Sequence, residues 1–145
     1  MPPDQLTTTP AAAAMLYRQG VALLVCGRPA DAIRLLQAAV TIDSQFAVAF
    51  AALAVAEADV DDGDRWRRFI DRASRQRNIS RRERQHIAVV TLALEGGLVR
   101  ASALGREHLQ EFPADHAVAH VLSTRGVDID DLRLTCEESA EAAAG

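Results

Sequence analysis

Between Pro29 and Ile42 the apolar positions Ala32, Ile33, Leu36, Ala39 and Val40 recur at spacings of three and four, so they share one stripe of a helix. No segment alternates apolar and polar residues with period two, and the pattern predicts helices without a sheet. Local punctuation sets the ends. Thr9-Pro10 supplies a hydroxyl cap followed by a proline at the first helical position, and Gly27 closes that helix. Pro29 and Asp31 open a second helix that runs to Ile42. A third, residues 45–59, is apolar on nearly every side through Phe46, Val48, Phe50, Leu53 and Val55, which predicts a helix buried between neighbours.

Asp61-Asp62-Gly63-Asp64 reads as a loop ending in a cap for a fourth helix reaching Arg77, with Trp66, Phe69, Ile70 and Ala73 on one face. Ser80 with Glu83 forms a capping box for a fifth helix, which stops at Gly96-Gly97. A sixth runs to Phe112, before Pro113, and a seventh covers residues 114–124. Asp128 and Asp130 can open an eighth, with Ile129, Leu132, Cys136, Ala140 and Ala143 as its stripe. The expected organisation is a disordered leader over residues 1–9, a helical domain over 10–126, and an irregular capping helix with an acidic tail over 127–145.

The loops are short, so successive helices should pair as antiparallel hairpins. The pairs also repeat. Phe46-Ala-Val-Ala-Phe50 recurs as His116-Ala-Val-Ala-His120, two lengths of about 35 residues later. The tetratricopeptide pattern can be laid on Leu16, Gly20, Leu23, Ala32, Leu36 and Ala39, and about 34 residues on it falls on Phe50, Ala54, Trp66, Ile70 and Ala73. Gln19, Glu57 and Trp66 depart from it; Trp66 in place of a small residue predicts that the second hairpin splays or shifts. The fold expected is all-α, about seven to eight helices stacked as a short right-handed α-solenoid.

A closer likeness covers residues 30–121. The stretches Phe46-Ala-Val-Ala-Phe-Ala-Ala-Leu-Ala, Ser80-Arg-Arg-Glu-Arg-Gln-His-Ile-Ala and Glu107-His-Leu-Gln-Glu-Phe-Pro-Ala-Asp-His-Ala-Val-Ala resemble the N-terminal part of the tetratricopeptide repeat protein thirty-eight family. That resemblance implies an α-solenoid that makes protein contacts. It brings no catalytic motif to any residue here.

Composition narrows the chemistry. In 145 residues, 49% apolar, all sixteen basic residues are arginine. The absence of lysine excludes Schiff-base chemistry and a P-loop, and suggests a GC-rich, bacterial genome. A net charge of −4 does not suggest bulk nucleic-acid binding. Cys26 and Cys136 are too few for a disulfide framework and form no metal motif, which fits a reduced, cytoplasmic protein. Residues 1–9 lack the basic and apolar regions of a signal peptide, and the apolar run 46–56 is too short to cross a bilayer.

His116 and His120 lie four apart on one helix face, but no HExxH pattern and no nearby third ligand accompanies them. His86 and His108 are expected to be structural. No nucleophile motif, dinucleotide fingerprint or phosphate loop is present. No enzyme, cofactor or metal is therefore expected.

Two surfaces remain. If helix A of each pair lines a concave side, it presents Tyr17, Arg18, Val21 and Leu24, then Ala51, Ala52, Val55 and Asp59, with Arg84, Gln85 and Val89 in the third unit. That face suits an apolar segment of another protein or peptide, unless the chain's own tail or a second copy of the chain covers it. The other surface is a stripe of Arg65, Arg68, Arg72 and Arg75, within a stretch holding nine arginines between Arg65 and Arg84. It reads first as a solvated outer face and second as a patch for an anion or nucleic acid. No stacking aromatics interleave with the arginines, which argues against single-stranded nucleic acid. The preferred reading is a non-enzymatic protein-binding scaffold that uses its concave face or an open apolar end; the alternative is a regulatory or nucleic-acid- or anion-binding module using the arginine stripe of residues 65–84.

Overall fold

The computed structural model describes residues 9–129 and 136–144. The helices are α1 (Ala11–Val25), α2 (Pro29–Ile42), α3 (Ala47–Val60), α4 (Trp66–Ser74), α5 (Arg81–Leu94), α6 (Leu98–Glu111), α7 (His116–Thr124) and α8 (Cys136–Ala144). There is no strand among the described residues. The protein is all-α.

The ends follow the local chemistry with a few shifts. Gly27 and Gly96 take positive φ, 77° and 85°, and so close α1 and α5 in a conformation that a Cβ would strain. α1 begins one residue later than predicted. Pro10 occupies the cap position, and Thr9 is buried rather than part of a loose leader. The leader's other residues, 1–8, lie outside the described residues. α4 begins at Trp66, with no side-chain cap from Asp64, and ends at Ser74 rather than Arg77. Its nine residues make it a short partner for the fourteen of α3. The predicted stripe of the last helix also changes. Ile129 is buried in a non-helical segment, α8 begins only at Cys136, and Leu132 lies outside the described residues.

Successive helices pair as α1 with α2, α3 with α4 and α5 with α6. α3 also packs on α2 and α5, and every residue from Ala47 to Glu57 is buried. Its alanines allow that close approach on all sides, as its unbroken apolar character predicts. Two glycines mark equally tight crossings. A Cβ on Gly20 would lie 2.8 Å from Leu36 Cγ, and one on Gly105 would lie 2.4 Å from Leu122 Cδ1.

The C-terminal helices then return to the start of the chain. α7 packs on α1, α5 and α6, and α8 packs on α1. This return joins Cys26, at the end of α1, to Cys136, at the start of α8, in a disulfide across 110 positions. The expectation of two free thiols is thereby corrected. Nothing in their spacing announced the pairing, because only the packing of α8 along α1 brings them together.

Candidate functional site

The cluster richest in chemistry forms where α5, α6 and the start of α7 meet. Ser80 caps α5 by accepting from the Glu83 amide at 3.1 Å, while the Glu83 carboxylate accepts from the Ser80 amide at 2.9 Å. This fixes the first turn and directs Glu83 and, three residues on, His86 into the interior. His108 lies in the last turn of α6 and Asp115 caps α7, its Oδ1 accepting from the Val118 amide at 3.4 Å.

Three elements thus bring two imidazoles to one carboxylate. His86 Nδ1 and His108 Nε2 each donate to Asp115 Oδ2 at 2.7 Å. The other ring nitrogen of His108, Nδ1, stands 3.0 Å from Gln85 Oε1. Both ring nitrogens of His108 are thus engaged, one by the Asp115 carboxylate and the other by the Gln85 side-chain amide. His86 needs only its Nδ1 proton. Its Nε2 is buried with no partner.

Burial works to raise the Asp115 carboxyl, but the charges and hydrogen bonds of His86 and His108 more than reverse it and hold the group below the usual carboxylate range. Burial, and next the Asp115 charge, push the Tyr17 phenol above its ordinary value, which places the field of this cluster against α1.

His86, His108 and Asp115 offer ligand atoms within 4.8 Å of one another, so they are the candidate metal ligands of the described residues. Ligand atoms around a tetrahedral zinc ion stand about 3.3 Å apart, given bonds of about 2.0 Å. Both 2.7 Å contacts would have to open to admit such an ion. They have the length of charge-assisted hydrogen bonds, and the side chains are at most 2% exposed. The arrangement is a sealed latch between helices. Among the described residues its three side chains are closed to solvent.

The other two histidines diverge. His116 Nδ1 lies 3.3 Å from Ser139 Oγ on α8, and burial lowers its basicity against the opposing charges of Asp115 and Glu138. His120 Nε2 lies 2.9 Å from Asp59 Oδ2 at the end of α3. Their four-residue spacing therefore serves two separate tertiary contacts.

The predicted concave face is largely interior. Val21, Leu24, Ala51, Ala52 and Val55 are buried, as is Val89. Arg18 and Asp59 are exposed, Tyr17 packs on Phe46 at 5.2 Å, and Gln85 is engaged with His108. α7 and α8 pack on α1, and α3 packs against α2, α4 and α5, so these buried positions lie within the helix packing.

Arg65, Arg68, Arg72 and Arg75 are exposed along α4 and its ends. Aromatic rings do lie beneath some of the arginines of this stretch. Arg67 lies over Trp66, Arg68 over Phe69 and Arg72 over Phe50, at 4.5, 5.0 and 4.8 Å from the ring centres. Trp66 and Phe50 are buried beneath these cations, so they do not present faces for bases to stack on.

A second concavity was not foreseen. It is a surface groove of about 560 Å³ between the end of α4, the outer side of α5 and the start of α6. Its floor includes Ile79, Ile87, Leu92 and Leu104, and Arg77, Arg84 and Arg100 stand around it.

No protein-family profile, curated protein or solved structure matches the chain.

Proposed function

We propose that the protein is a non-enzymatic helical-repeat scaffold that binds another protein through its outer surface. The observation that carries this reading is the division of its chemistry. Its most reactive cluster, His86–His108–Asp115, is sealed and spent on holding helices together. Its surface offers an apolar groove set among arginines. The tetratricopeptide-like spacing of Gly20, Ala32, Leu36, Ala54, Ile70 and Ala73 supports the same reading from the sequence.

No helix of the described residues is long and apolar enough to cross a membrane. Disulfides persist in oxidising compartments and are rare in a reducing cytosol. The Cys26–Cys136 bond therefore favours an oxidising location, and a cytoplasmic one requires the bond to be open or transient. Affinity capture with cross-linking tests the scaffold reading. A partner cross-linked at stoichiometric yield is expected; turnover of a small substrate with no captured protein would contradict it.

The arginine stripe supports a second reading, an anion- or nucleic-acid-binding module. Arg65, Arg68, Arg72 and Arg75 are exposed, with no carboxylate in ion-pair reach among the described residues. Binding through them should weaken steeply with salt and vanish in Arg68→Glu with Arg72→Glu. Salt-insensitive binding would remove this reading.

A further inference from the structure

We infer that the groove between α4, α5 and α6 is the docking site for an acidic amphipathic helix of a partner protein, an assignment that rests on the scaffold reading above. The floor supplies the apolar part. Ile79, Leu92 and Leu104 are only half-buried, so side chains entering at helical spacing gain contact area there. Val99, one residue before Arg100, is 86% exposed and adds apolar surface at the start of α6.

The rim supplies the charge. Arg77, Arg84 and Arg100 are exposed, and none has a carboxylate within ion-pair distance among the described residues. Elsewhere on the same helices Arg81 is paired with Glu111, so α5 and α6 satisfy one of their cations internally and leave those around the groove unpaired. Arg84 is also held in place, its Nη1 donating to the Ile79 carbonyl at 3.2 Å. Its remaining N–H groups are available to a carboxylate, which a guanidinium binds in fork geometry.

The groove's shape favours a helix over a lipid chain. It lies open along the surface, whereas an acyl chain is best covered when enclosed on most sides. An amphipathic helix needs only one side covered, because its other face is polar. Acidic residues flanking its apolar stripe would meet the three arginines, giving both charge and apolar complementarity from one element.

The test is a fluorescence-polarisation titration of the intact, oxidised protein. The labelled peptide has about 18 residues, long enough for several helical turns, with leucines at helical spacing and glutamates between them. A second peptide replaces every glutamate with glutamine, and vesicles of phosphatidylglycerol form a third arm. The glutamate peptide should bind, and the glutamine peptide at least about tenfold more weakly. Arg84→Glu with Arg100→Glu should weaken the glutamate peptide about tenfold or more, and so should Leu104→Glu. Arg34→Glu, on the exposed side of α2, should leave it unchanged. Circular dichroism checks that each variant keeps its helices.

Equal affinity for both peptides, or unchanged binding by the double arginine variant, would overturn the assignment. So would vesicle binding through Arg84 and Arg100 without peptide binding, which would mark a lipid surface instead. A partner protein whose cross-links fall on α1 and α8 would overturn the groove and leave the scaffold reading standing. Failure to recover any partner would remove the scaffold reading itself.

Discussion

His86 and Asp115, 29 positions apart, meet at 2.7 Å in a place that solvent does not reach. The contact joins the middle of α5 to the cap of α7, and His108 reaches the same carboxylate oxygen from α6. Three helices therefore depend on one aspartate. Asp115→Ala removes a buried acceptor for two donors and a helix cap together. It should destabilise the fold by about 2–5 kcal/mol, because two buried donors lose their acceptor. Chemical denaturation monitored at the helix signal measures this. A loss below about 1 kcal/mol would show that the latch contributes little.

The same latch sets an acid response. The folded Asp115 carboxyl lies below its ordinary range, so its stabilisation is fully present above the unfolded value of about 3.9. It declines as pH falls below that value toward the folded one. Stability of the wild type should therefore drop below about pH 4 more steeply than that of Asp115→Asn. Parallel acid slopes for the two proteins would show that another carboxylate governs the transition.

Helix crossings give a steric test. The Cβ of Gly105→Ala would start 2.4 Å from Leu122 Cδ1, and that of Gly20→Ala 2.8 Å from Leu36 Cγ. Both neighbours are fully buried, and giving way would disturb their packing. Each substitution should cost about 1–3 kcal/mol, although alanine is the better helix former. A rise in melting temperature would show that Leu122 and Leu36 move freely.

Reduction should act locally as well as globally. The Cys26–Cys136 bond closes a long loop, and a loop of this size is worth about 5 kcal/mol in the chain-entropy account. Without the bond, α8 is held by its packing on α1 and the His116–Ser139 contact. Cys26→Ser should raise hydrogen exchange in residues 136–144 before α3 responds. Unchanged exchange there would show that packing alone holds the helix.

Metal affinity separates a latch from a metal centre. With protons already filling the space between His86, His108 and Asp115, zinc should neither copurify with the folded protein nor raise its melting temperature. One bound zinc per chain, lost in His108→Ala, would show that the two hydrogen bonds open for an ion.

These relationships differ in how far they could be foreseen. α2 and α5 are legible to within a residue or two, because Pro29 and the Ser80–Glu83 box act locally. The buried character of α3 is equally legible, since every side of it is apolar. Asp115 carried a signal that was passed over. It is an aspartate two residues after Pro113, just ahead of an apolar helix, which is a cap position. What it caps and whom it pairs with are tertiary facts. The disulfide and the covering of α1 by α7 and α8 had no local signal at all. The groove was hidden for another reason: Arg77, Arg84 and Arg100 come from separate elements, and only the packing of α4, α5 and α6 gathers them around one apolar floor.

Hydrogen exchange, measured with and without the partner recovered by affinity capture, tests the central claim most directly. Protection concentrated on α5 and the start of α6, around Ile87, Leu92, Arg100 and Leu104, is the predicted result. Protection confined to α1 and α8, or absent throughout, would contradict it.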